Sequence, residues 1–533
     1  MCQIAYLENG CEKVQTMPND PPSKKISMDE AISKTNFGCF NYIVIVLSGM
    51  ILFSVLMETS AIAFILPVSQ CDLNLTTSEK GILAAASLFG TICSSHLWGF
   101  LSDTKGRRAI IQPTLFLAFF CSICSSLVQN FYILSTLRFL NGFFVSGFSA
   151  TIYAYLGEFH NNIQRNRAIL AASVIFGISC ISIPLAAGSV INQDWQFYVP
   201  LLDITYKPWR LYFVVCSSPG FIAALILIFL PESPKFVLGQ GKSTGAYQIL
   251  RKMHRLNNGR KVEFEVFEID EEKESIENRK QMMDNKQSRY PLLKSIWTQT
   301  TPLFKPPYLR STLLMCAIQF GIYWTNSGFF MFFAEILNKM AVNSGSSIDH
   351  KMMMCDIINM KSVNNTAIEI RSTQNQVCFS KLDLSTVEQG IILEIIFAFG
   401  QVMVGLLINR VGKFPLLFFI LVVSGLGGIG CMLTDISYLQ RYLFIVHFTC
   451  GVAGSIINAA IVEIYPTSLR AMAICISLMM FGRLGGVVGT NVIASLLERN
   501  CESVFYLSGV NLIVIGVLAF FIPNIHQRVS KSS

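Results

Sequence analysis

Long apolar runs alternate with short polar intervals along most of the chain. The runs fall at about 42–66, 81–101, 109–129, 131–156, 167–191 and 209–230, and again at about 311–336, 387–409, 414–434, 438–464, 470–497 and 503–523. Each is about as long as a helix must be to cross a hydrocarbon core of ~30 Å. The Gly and Pro inside them do not argue against helices, because membrane helices tolerate both. The pattern predicts an all-α membrane protein: twelve transmembrane helices in two pseudo-symmetric six-helix bundles, at 41–230 and 311–525. Around them lie a loose cytosolic tail at 1–40, a cytosolic linker at 231–310, an outer loop at 337–386 and a short cytosolic tail at 526–533.

Composition and charge sharpen this picture. Only 14% of the 533 residues are charged, against about a quarter in an ordinary soluble domain. The formal net charge is +8, but the Lys and Arg cluster at the ends of apolar runs, where they set topology. No basic stripe interleaved with aromatics suggests nucleic acid as a partner. With both termini cytosolic, the short inner loops carry 8 Lys and Arg and the short outer loops 5, while the linker adds 15 on the inner side. Linker residues 246–256 read as an amphipathic helix with Ile249, Leu250 and Met253 on one side, followed by an acidic stretch from Glu263 to Glu277. Most of the 16 cysteines lie inside apolar runs as small hydrophobes. In this topology the sequons at Asn74 and Asn364 both fall on the outer side. Cys355 and Cys378 flank the second sequon and are the expected outer-loop disulfide.

The two halves repeat. Gly99-Phe-Leu101-Ser-Asp103-Thr-Lys-Gly106-Arg107-Arg108 follows the second run, and Gly405-Leu-Leu407-Ile-Asn409-Arg-Val-Gly412-Lys413 follows the eighth, 306 residues later. Glu158 with Arg165 after the fourth run matches Glu463 with Arg470 after the tenth, at an offset of 305. Two similar bundles suit rocking about a central site. The glycines allow a tight turn between helices. Asp103 is expected to face a helix N-terminus, and Arg107 and Arg108 to pair with carboxylates at the inner ends of other spans.

These residues resemble the major facilitator superfamily. GFLSDTKGRR is similar to its signature loop between helices two and three, Arg138-Phe-Leu-Asn-Gly142 to the Arg-x-x-x-Gly of its fourth helix, and Pro231-Glu232-Ser233-Pro234-Lys235-Phe236 to a motif after helix six. That last motif is shared by sugar-porter, organic-ion and synaptic vesicle glycoprotein branches. Within the superfamily the chain is most similar to transporters related to synaptic vesicle glycoprotein 2. Met57-Glu58 ahead of Leu66-Pro67, Cys71-Asp72-Leu73, Glu79-Lys80-Gly81 and Lys207-Pro208-Trp209-Arg210 carry this likeness. The resemblance implies a secondary transporter working as a monomer, in the plasma membrane or an intracellular vesicle.

Ionisable groups inside a membrane default to a functional reading. Glu58 in the first span and Arg483 in the eleventh both fall at middle depth and are expected to face one central cavity. Glu58 suits a proton or a cationic group, Arg483 an anionic substrate; a buried structural pair is the plain alternative. For Arg138, in the fourth span, the superfamily likeness suggests proton coupling or gating, and a snorkelling contact is the alternative. Glu394 and Glu335 are further candidates. Gln319, Tyr323 and Asn326 share a face of the seventh span and suit a pocket lining, as do Tyr153 and Asn458. No P-loop, metal-ligand spacing or catalytic constellation occurs, so neither an enzyme nor a cofactor is expected. The expected function is movement of a small organic solute by alternating access, with a coupled proton left open. A receptor or trafficking partner built on a transporter scaffold is the second reading.

Overall fold

The computed structural model describes residues 25–70, 72–201, 203–259, 300–344, 354–359, 381–465, 467–497 and 499–522, with a few isolated positions between 260 and 299. Among the described residues, eleven helices are long and apolar enough to cross a membrane. In the first half these are spans one to six: Cys39–Ser69, Thr77–Lys105, Arg108–Ser126, Phe131–Glu158, Ile163–Ile191 and Pro208–Leu227. The second half supplies spans eight to twelve: Leu384–Ile408, Lys413–Leu433, Tyr438–Ile461, Met472–Leu497 and Cys501–Phe521. The seventh span is Leu309–Phe330, 22 residues long, which the polar Gln319 and Asn326 make less apolar than the rest. Twelve helices in two sets of six match the sequence pattern.

Local chemistry sets the starts and stops. Thr76 and Glu79 form a capping box at the second span: the Thr76 hydroxyl accepts from the Glu79 amide, and Glu79 accepts from the Thr76 amide at 2.8 Å. Asn130, Asn161 and Asp383 cap the fourth, fifth and eighth spans with side-chain oxygens. The second and eighth spans both end on a glycine in left-handed backbone, Gly106 at φ +116° and Gly412 at φ +90°. A residue with a Cβ is strained there. The duplicated glycines thus mark the same turn in each half. Asn74 is exposed at φ +49°, in the turn just before the Thr76 cap.

Two expectations change. Residues 25–38 are not loose: Met28–Lys34 is a helix whose buried Met28, Ala31 and Ile32 dock against the first bundle. Lys235 holds Asp29 at 2.7 Å, and Asn257 of the linker helix Ser243–Asn258 donates to the Thr35 and Asn36 carbonyls. The expected apolar side of that helix packs into the same cluster, with Leu250 and Met253 fully buried and Ile249 beside them. The outer loop is also partly helical, over Phe333–Ser344 and Met354–Asn359. Cys355 bonds Cys501 at the start of the twelfth span, 146 residues on, rather than Cys378, which lies outside the described residues. Burial explains the choice: Met354 and Cys355 sink into the apolar cluster that contains Cys501. Asn364 and the acidic stretch around Glu277 lie outside the described residues as well.

The two bundles meet at one end only. We call the end carrying Gly106, Gly412 and the linker helix the tail end, and the other the distal end. One apolar cluster at the distal end draws on both halves, from Met57 and Phe64 to Phe333 and Phe444. At the tail end the core splits into a cluster from the first half and linker and another from the second half. The distal seam is tight: Gly188 would clash with Val387 if given a Cβ, and Gly486 would press on Leu88. The second and eleventh spans stay in touch as far as His96 Nε2 and Cys475 Sγ, 3.9 Å apart. Beyond that, Gly99, Gly177 and Gly405 face open space, with nothing within 4 Å of a Cβ position. The cleft between the halves is closed distally and open at the tail end.

Candidate functional site

Glu58 is 3% exposed, and its partners all come from its own half. Its Oε2 accepts from the Ser122 hydroxyl at 2.7 Å and from Asn141 Nδ2 at 3.0 Å. The Ser122 hydroxyl in turn accepts from Arg138 Nη2 at 3.0 Å, and Arg138 also donates to Ser125 at 2.8 Å. The guanidinium stacks over Phe213, 4.4 Å from the ring centroid. A carboxylate on the first span and a guanidinium on the fourth are thus joined through one hydroxyl of the third. Three helices carry this network, so moving one of them changes its hydrogen bonds. Arg138 does not snorkel: it is 2% exposed and points into the bundle.

Glu58 is therefore buried within its own bundle, and the plain alternative above, a structural pair of Glu58 with Arg483, is not formed. The counter-charge of Glu58 is Arg138. Arg483 sits in the other half, beside Tyr323. Sequence reading placed both charges at middle depth, but helix rotation, which the apolar pattern leaves open, decides which neighbours they meet. Ser122 and Asn141 were missed as partners; Asn141 stood in plain view, inside the Arg138-to-Gly142 motif.

The tail-end loop is a second hub. Arg107 pairs with Asp103 at 3.1 Å and with Glu158 at 3.1 Å. The Arg107, Arg108 and Ala109 amides, at the N-terminus of the third span, all donate to Glu232, at 3.0–3.2 Å. The helix-terminus role expected of Asp103 thus belongs to Glu232, a fit of anion to exposed amides. The Arg108 guanidinium donates to the Ile228 carbonyl at 3.0 Å, closing the end of the sixth span instead of meeting a carboxylate. Arg165 packs against Gly157, one residue before Glu158. In the second half Lys413 donates to the Ala459 carbonyl at 3.1 Å. The side chains of Asn409, Glu463 and Arg470 lie outside the described residues.

At the distal end, Lys80 of the second span reaches Glu335 of the second half at 2.9 Å, with both side chains buried. Lys339 joins the same carboxylate at 3.3 Å. This buried link between halves was legible only as two separate charges, because nothing in the sequence pairs positions 255 residues apart. Asn192 and the Leu382 backbone exchange two hydrogen bonds across the same seam.

In the second half, Gln319 donates to Asn458 at 3.3 Å. Gln319 Oε1 and Asn326 Oδ1 are buried without a hydrogen-bond partner. Tyr323 lies against Gly482 and within electrostatic reach of both Arg483 and Tyr153 of the first half. Tyr153 is 45% exposed, as a residue lining an open cleft would be. Glu394 is buried on the eighth span and reaches toward Cys180 of the fifth. Among the described residues, no three His, Cys, Asp or Glu side chains gather as metal ligands.

Two six-helix bundles about a one-sided cleft, with ionisable groups held inside each, define the architecture of a secondary transporter. The chain belongs to the Major Facilitator Superfamily, whose family model matches residues 48–348 and 360–533. It is a multi-pass membrane protein of a transporter family, not of an enzyme family. Among curated proteins it is 25% identical over 317 residues to human synaptic vesicle glycoprotein 2B, covering 56% of this chain and 46% of that one. To rat synaptic vesicle glycoprotein 2A it is 26% identical over 316 residues, covering 57% and 42%. It therefore spans about half the length of these relatives. Among solved structures it is similar to the xylose transporter XylE from E. coli in a partially occluded inward-open conformation. The TM-score is 0.60 and the identity 13%, covering 93% of this chain and 100% of that one. A crystal structure of a D-xylose–proton symporter aligns at TM-score 0.60 and 14% identity, covering 91% and 98%. At such identity these neighbours speak for the fold alone.

Proposed function

We propose that this protein carries a small organic solute across a membrane by alternating access, with the tail end and both termini in the cytosol. The observation that carries this reading is the cleft, sealed distally by a shared apolar cluster and the Lys80–Glu335 pair and open at the tail end. A rocking exchange of the two ends would break those distal contacts and close the open space beside Gly99 and Gly405, on the second and eighth spans. The Lys and Arg of the linker and inner loops support a cytosolic tail end. Relatives named for synaptic vesicles keep a vesicle membrane open beside the plasma membrane as its location.

The Glu58 cluster is the coupling element in this reading. An acid buried in a membrane bundle is costly unless its charge is matched. As a carboxylate, Glu58 accepts from Ser122 and Asn141 and balances Arg138. A proton on Oε2 makes that oxygen a donor, and the Ser122 hydroxyl that links it to Arg138 then turns away. Binding a proton thus changes the bonds among spans one, three and four. Uptake into proteoliposomes across pH 5.5–8, measured for wild type and Glu58→Gln, tests this. The wild type should depend on pH, and the variant should retain exchange but lose that dependence. The same pH profile in both would remove Glu58 from coupling.

A further inference from the structure

The geometry points to an organic-carboxylate site in the second half, built on Arg483 with the phenols of Tyr323 and Tyr153; it rests on the transport reading above only for how the ligand arrives. Arg483 is the residue at which a π-helical stretch, Cys475–Gly482, returns to α-helix over Arg483–Leu497. Such widened turns occur mostly as single bulges and concentrate at functional sites. Arg483 Nε is buried with no hydrogen-bond partner. Among the described residues its electrostatic partner is the Tyr323 hydroxyl, and no carboxylate forms an ion pair with it. A guanidinium inside a membrane bundle is normally matched by an acid or by backbone carbonyls. Here the match is left for something else.

The surroundings specify what that something is. The Tyr323 ring packs directly against Gly482, where a Cβ would lie 3.2 Å from a ring carbon, and this contact holds the phenol beside Arg483. Tyr153 approaches from the first half and is open to the cleft. A planar fork of N–H donors and two O–H groups suits an oxyanion, and a carboxylate matches the fork with two parallel bonds. The exposed ring of Tyr153 also offers an apolar surface, so the body attached to the carboxylate is flat and apolar rather than a polyol. Tyr153 and Arg483 belong to different halves, so a ligand touching both would report their relative position.

The test uses the full chain purified in detergent, with benzoate, its neutral isostere benzamide, inorganic phosphate, tetraethylammonium and D-xylose as probes of thermal unfolding. Benzoate should raise the melting temperature saturably and benzamide should not, a comparison that needs no variant. Phosphate failing where benzoate succeeds would assign the site to carboxylates. Arg483→Gln should weaken benzoate by about 10- to 100-fold, and Tyr323→Phe by less. Benzamide matching benzoate, phosphate matching it, unchanged benzoate affinity in a monodisperse Arg483→Gln, or no shift with any probe would each overturn the proposal. Proteoliposome uptake separates it from the transport reading. Xylose or tetraethylammonium uptake together with no Arg483-dependent benzoate binding refutes the anion site alone. Arg483-dependent benzoate binding without uptake of any probe refutes transport alone.

Discussion

Each half of the molecule holds an arginine inside its bundle, Arg138 buried and Arg483 partly so, and the two meet different neighbours. Arg138 is tied to two serines, stacked on Phe213 and balanced through Ser122 by Glu58. Arg483 has a phenol beside it and an Nε without any partner. Arg138 also leaves its Nη1 without a partner, but a charge bonded to two serines and balanced by a carboxylate serves the protein's own mechanics, because its energy depends on how three helices sit. A charge left without its match depends on what enters the cleft. The difference separates a coupling element in the first half from a recognition element in the second.

The largest effect should follow from breaking the Glu58–Ser122–Arg138 network. Arg138→Met leaves Glu58 buried without its counter-charge and should cost about 3–5 kcal/mol of stability. Adding Glu58→Gln should recover much of the loss, because the orphaned charge is gone. Thermal unfolding of the single and double variants reads this directly. Arg483→Gln should sit within about 1 kcal/mol of wild type in the same assay, since no internal pair is broken. Equal losses for the two arginines would erase the contrast. A smaller effect belongs to the tail-end hub. Glu232→Gln keeps the shape but removes the negative charge held by three amides at the third span, which should cost about 1–2 kcal/mol. No loss would mean that water replaces the carboxylate.

Much of this was legible in the sequence because it depends on periodic or local chemistry. Twelve spans follow from apolar length, and the Gly106 and Gly412 turns from a motif repeated at constant offset. The buried side of the linker helix follows from Ile249, Leu250 and Met253. What escaped depends on rotation and on distance along the chain. The pairing of Glu58 with Arg138 instead of Arg483 required knowing which way two helices face. The Lys80–Glu335 link and the Cys355–Cys501 bond join positions that no pattern relates. Glu232 takes the role expected of Asp103 because a helix N-terminus can be reached from outside its own loop. Residues 25–38 looked loose because one short apolar stripe, Met28 to Ile32, finds its partner only in the folded linker.

The central claim is that the distal seal and the tail-end opening are two faces of one movement. Spin labels at Gly99→Cys and Gly405→Cys, where nothing lies within 4 Å, fit without repacking. The background should replace the exposed Cys39 and Cys93 by serine and keep the Cys355–Cys501 bond. The label-to-label distance is then compared with and without Glu335→Gln, which weakens the buried bond to Lys80. A hydrogen-bonded charge of this kind is worth about 1.5–3 kcal/mol. The ratio of short to long distances should therefore rise by about 10- to 100-fold, as the distal seal loosens and the tail end closes. An unchanged distance distribution in a folded, monodisperse variant would contradict a coupled movement of the two ends.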